Sequence, residues 1–128
     1  MTDPVVEVVG VYDADGGVLG ELAYVVGHAL GRAECALCDV THGGLRRRPA
    51  WDALARSLPV PVRLVHRNEL SDAERRAVAD SGLPAVLGAC ADGTHTVLVA
   101  PDRLAAARGS VDAVGEAIRT ALAEASTR

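Results

Sequence analysis

The sequence predicts an α/β domain built on a mixed four-stranded sheet with helices on both faces. Three observations carry this. Runs of β-branched residues alternate with segments of helical periodicity. An Asp92-Gly93 pair separates two strand-like runs and signals a hairpin. Ser71 with Glu74 three residues later forms a capping box, which marks where a helix starts between strands.

The elements follow in order. Val5–Tyr12 reads as a buried strand and Asp13-Ala-Asp-Gly-Gly17 as a turn. Leu19, Leu22, Ala23, Val26 and Leu30 then repeat at helical spacing, so Val18–Leu30 is an amphipathic helix closed by Gly31. Ala33–His42 reads as a second short helical segment, stopped by Gly43-Gly44. Pro49–Leu58 makes one or two helical turns with Trp51, Leu54 and Leu58 on one face. Val60–His66 alternates as a strand, and the capping box opens a helix over Asp72–Asp80. Leu83–Cys90 and Thr94–Ala100 are the hairpin strands. Pro101–Ala107 is a turn or short helix, and Ser110 caps a last helix over Val111–Ala125. The first two long strands, separated by helices, should be parallel and joined by a right-handed crossover.

Length and composition limit the function classes. A chain of 128 residues is one domain, residues 1–128, large enough to bury a core. With no Phe, one Trp and two Tyr, that core must be made of Val, Leu and Ala. All 13 basic residues are Arg, and the net charge of −4 gives nucleic-acid binding no electrostatic support. No apolar run is long enough to span a membrane. Val5–Val11 is interrupted by Glu7 and Gly10, so it does not read as a leader's apolar core. The expected compartment is the cytoplasm, where stable disulfides are rare, and three cysteines do not make a simple disulfide framework. Arg46-Arg47-Arg48 reads as a solvated loop, or else as a docking site for a phosphate or an acidic partner.

Gly82-Leu-Pro-Ala-Val-Leu-Gly88, the Asp92-Gly93 turn, Thr96-Val-Leu-Val99 and the helix after Ser110, in this order, resemble the thioredoxin-like fold. The resemblance spans nearly the whole chain. It implies that Pro84 is the cis proline that opens the first hairpin strand in that family. The chain also departs from the family. Thioredoxin-like oxidoreductases place a Cys-x-x-Cys directly after the first strand, where a helix N-terminus stabilises a thiolate. Here that place holds Asp13-Ala-Asp-Gly-Gly17, and the Cys35/Cys38 pair comes about twenty residues later. The usual dithiol activity is therefore not carried over.

Cys35, Cys38 and His42 are nonetheless a candidate site. On a helix they fall at i, i+3 and i+7, and Cys-x2-Cys is a frequent zinc half-site. The fold reading places residues 33–42 near the end of the sheet where Cys90 finishes its strand. Cys35, Cys38, His42 and Cys90 then make a Cys3His set for zinc, with His95 or Asp39 as a substitute ligand. The alternatives are a thiol–disulfide oxidoreductase or redox sensor using Cys35 and Cys38, and a protein-interaction module with structural cysteines, docking through the Arg46–Arg48 loop or a sheet edge. At the opposite end, Asp13, His66, Arg67 and Pro84 should lie near one another, where open α/β sheets place ligands. The glycines after Asp15 match neither a phosphate loop nor a calcium loop.

Overall fold

The computed structural model describes residues 4–13, 37, 41–43 and 46–126. Four strands form one mixed sheet: β1 (Val5–Tyr12), β4 (Val62–His66), β5 (Ala85–Cys90) and β6 (His95–Val99), in the order β4-β1-β5-β6. β1 runs parallel to β4, with Tyr12 opposite His66 at the carboxyl end. It runs antiparallel to β5, with Val11 opposite Ala85 and Val5 opposite Cys90. β6 returns antiparallel along β5, with Ala89 opposite His95. The α/β class and the mixed four-stranded sheet expected from the sequence are therefore present, and β1 has the predicted bounds.

The sheet is covered on both faces. On one face Val8, Tyr12 and Val86 pack with Leu37, Trp51, Leu54, Val114 and Ile118, most of them from helices α1 (Pro49–Ser57) and α4 (Val111–Ser126). On the other, Val9, Val11, Ala85 and Leu87 pack with Leu70 and Val78 around helix α2 (Asp72–Ser81). Alternation along β1 and β5 produces this division, because successive side chains point to opposite faces. A core without Phe requires close approach instead of bulk. A Cβ on Gly10 would sit 2.7 Å from Leu64 Cδ2, and one on Gly115 would sit 2.8 Å from Leu54 Cδ1. The second contact lets α4 lie close against α1.

Local chemistry sets the boundaries. Pro49 begins α1 at a position where a missing N–H costs nothing. The Ser71 hydroxyl accepts from the Glu74 amide at 3.2 Å, and the Glu74 carboxylate accepts from the Ser71 amide at 2.8 Å, so the predicted capping box is in place. Glu74 is also buried and takes a second bond of 2.7 Å from Arg63 Nη2. Burial pushes its carboxyl up, but the Ser71 amide and the Arg63 guanidinium outweigh this and hold it below the usual carboxylate range. Gly82 ends α2 at φ +80°, and Gly93 turns the hairpin at φ +89°. The Leu83–Pro84 bond is cis. A short helix, α3 (Pro101–Ala106), precedes α4.

One segment differs from expectation. Leu37 and Thr41 are helical, but His42 is not the last residue of that helix. It begins a two-residue strand, β2 (His42–Gly43), which pairs with β3 (Arg46–Arg47), His42 opposite Arg47. The Arg48 amide donates to the Thr41 carbonyl at 2.7 Å and closes this small ladder. The backbone of Arg46 and Arg47 therefore lies in a ladder and not in the expected loop. The last member of the basic run, Arg48, reaches across to donate to the Gly109 carbonyl at 2.8 Å.

Candidate functional site

The hairpin register separates two of the predicted site residues by face. Cys90 ends β5, with its amide bonded to the Thr94 carbonyl at 2.8 Å. It is a free, buried thiol. By strand alternation it shares the face of Val86 and Gly88, under α1 and α4. His95 lies opposite Ala89 and shares its face, that of α2, because paired residues project to the same side. Cys90 and His95 are thus neighbours in the hairpin but point to opposite sides of the sheet. His95 Nδ1 is buried without a hydrogen-bond partner among the described residues.

The register also separates Cys90 from His42. Cys90 lies opposite Val5, at the start of β1. Thr41, one residue before His42, has its hydroxyl 2.8 Å from that of Tyr12, at the other end of β1. Seven residue steps along an antiparallel pair span about 23 Å. The Tyr12 side chain stands roughly perpendicular to the sheet, so Thr41 belongs to the carboxyl end. The described backbone therefore does not bring Cys90 and His42 together. Of residues 33–42, expected near the Cys90 end, only Leu37, Thr41 and His42 are described, and Thr41 is bonded at the Tyr12 end of β1. Cys35, Cys38 and Asp39 lie outside the described residues. Leu37, between the two cysteines, is fully buried, with Cδ2 3.3 Å from where a Gly10 Cβ would be.

At the carboxyl end of β1 and β4 the expected neighbours do meet. Arg67 Nη1 lies 3.3 Å from Asp13 Oδ1, and the Tyr12 and His66 rings pack with centroids 5.0 Å apart. His66 has a further partner. Glu69 Oε1 accepts from the His66 amide at 2.7 Å and lies 2.8 Å from His66 Nδ1. The backbone donor, then the imidazole, holds the Glu69 carboxyl below its ordinary range. This arrangement caps the 3₁₀ turn Arg67–Glu69 and fixes the imidazole ring at the same time. The Tyr12–Thr41 and His66–Glu69 pairs were not read from the sequence. Glu69, three residues after the end of an alternating strand, is a cue that could have given the second, whereas the first joins residues 29 apart with no local cue.

At the opposite end lies an apolar cleft of 440 Å³, walled by Pro4, Val5, Pro59, Val60, Leu122 and Ala125, with Arg119 on its rim. Among the described residues no three His, Cys, Asp or Glu side chains come together to hold a metal, and no helix is long and apolar enough to cross a membrane. No family model, no curated protein and no solved structure matches the chain.

Proposed function

We propose that the chain is a thioredoxin-like domain that binds a transition metal, zinc by the chemistry of its donors, through Cys35, Cys38 and His42. The order of strands and helices and the position of Pro84 support the fold reading. The thiolate–thiolate–imidazole spacing supports the metal, since soft sulfur and borderline nitrogen donors are those zinc takes. The observation that carries the proposal is the anchoring of Leu37 and Thr41, two residues within the Cys35–His42 stretch. Leu37 and Thr41 are both fully buried, and Thr41 is bonded to Tyr12. A donor segment pinned at two points against β1 has less chain entropy to lose on binding a metal. We leave Cys90 out of this set, since it ends β5 opposite Val5 whereas Thr41 is bonded to Tyr12 at the other end of β1. Three protein ligands leave a fourth position for water or a partner's side chain, the arrangement of exchangeable or catalytic zinc.

The test is elemental analysis of protein purified without a histidine tag, with thiols counted before and after chelation. One zinc per chain is expected, lost in Cys35→Ser and Cys38→Ser and retained in Cys90→Ser. The proposal fails if the protein carries no metal and takes none up. A mass about 2 Da low without reductant, restored by reductant, would replace it with the dithiol–disulfide reading.

A further inference from the structure

The cleft at the amino end of β1 has a lining that specifies a ligand class. Its walls come from three separate elements: Pro4 and Val5 at the start of β1, Pro59 and Val60 in the connection from α1 to β4, and Leu122 and Ala125 on α4. Its volume of 440 Å³ lies within the range of small-molecule sites, which are mostly apolar with a few placed polar groups. Arg119 is the charged group in its lining. The Arg119 guanidinium donates through Nη2 to the Ser57 hydroxyl at 2.9 Å. Among the described residues its nearest carboxylate is Glu116, 3.8 Å away and well exposed, too far for a hydrogen bond and solvated. A guanidinium has five donors in a fork that matches a carboxylate, and these two contacts leave most of that capacity unused.

We infer that this cleft binds an aliphatic monocarboxylate of medium chain length, with the carboxylate on Arg119 and the hydrocarbon along Val5, Val60 and Leu122. Charge complementarity selects the headgroup. An amine would meet the Arg119 charge, and a neutral alcohol would forgo the charge-assisted bonds. The apolar walls select the tail. The site is separate from the Cys35–His42 segment, so the inference stands or falls independently of the metal.

Isothermal titration with octanoate in the presence of a chelator tests it. Saturable one-to-one binding is expected. The affinity should rise about fourfold per methylene from hexanoate to octanoate, the gain from burying one CH₂. Arg119→Met should weaken octanoate at least tenfold and leave 1-octanol unchanged. Val60→Trp, which fills the cleft from an already half-buried position, should abolish binding of both, with circular dichroism confirming the fold. The inference is overturned if octanoate does not saturate. It is also overturned if chain length has no effect, or if octanoate binds Arg119→Met as well as the parent protein, which would mark an adventitious additive only.

Discussion

The two ends of the sheet are held by different physics. At the carboxyl end, polar side chains tie separate segments together: Tyr12 to Thr41, His66 to Glu69, Arg67 to Asp13 and, through Arg48, the short β2–β3 ladder to the turn at Gly109. At the amino end, Val5, Val60 and Leu122 line a cleft that remains open. The first end is fixed by directional bonds, which set geometry. The second is held by apolar contacts, which set area and tolerate a guest. The contrast teaches where this chain can keep a precise constellation of donors and where it can admit a ligand of variable length.

The largest expected effect comes from attacking the anchored segment. Leu37→Ala removes a fully buried side chain beside Gly10 and should cost about 2–5 kcal/mol in urea unfolding. A cost near zero would mean that the segment between the cysteines is not part of the core. Next is a polar tie away from the carboxyl end. Glu74→Gln should cost about 1.5 kcal/mol at neutral pH, where the carboxylate holds Arg63 and the Ser71 amide. Because the folded-state pKa of Glu74 is lowered, this contribution is complete above the ordinary value of 4.5 and disappears as pH falls through the folded value. The difference between parent and variant should therefore close on acidification below pH 4.5, and a difference independent of pH would refute the ionic account.

Tyr12→Phe is expected to cost about 1 kcal/mol, the net value of one buried hydrogen bond. It should also raise the rate at which Cys35 and Cys38 react with a thiol reagent, by loosening Thr41. Unchanged reactivity would uncouple the Tyr12 tie from the cysteine segment. The smallest effect is at the other end. Leu122→Ala should change stability by about 0.5 kcal/mol, since the side chain lines an open cleft. A cost comparable to that of Leu37→Ala would erase the contrast between the ends.

The parts of the fold that were legible in the sequence are those with local signals. The Val5–Tyr12 strand shows in its β-branched run, α2 in Ser71 with Glu74, and the hairpin in Asp92-Gly93. The two-residue ladder of His42–Gly43 with Arg46–Arg47 was not legible, because two residues carry no periodicity. The candidate site was legible in its chemistry and not in its assembly. Cys-x2-Cys-x3-His is visible as a spacing, but the end of β1 at which Thr41 sits depends on a Tyr–Thr contact between residues 29 apart. The opposite facing of Cys90 and His95 follows from strand alternation once the register of the hairpin is known, and register is a tertiary property. Glu74 was legible as a cap, whereas its second role toward Arg63 requires β4 to lie beneath it.

The central place of β1 has a consequence for the chain's slowest motions. Its backbone is bonded to β4 on one side and β5 on the other, while β4 and β6 each have a single described neighbour. Along Val8 to Val11 successive amides point alternately to the β4 side and the β5 side, so releasing all of them requires both ladders to part. Their exchange should therefore report whole-molecule opening, and the outer strands should exchange earlier through local fraying. β1 also ends at Tyr12, the residue that grips Thr41. The strand bonded on both sides is thus also the one to which Thr41 is tied.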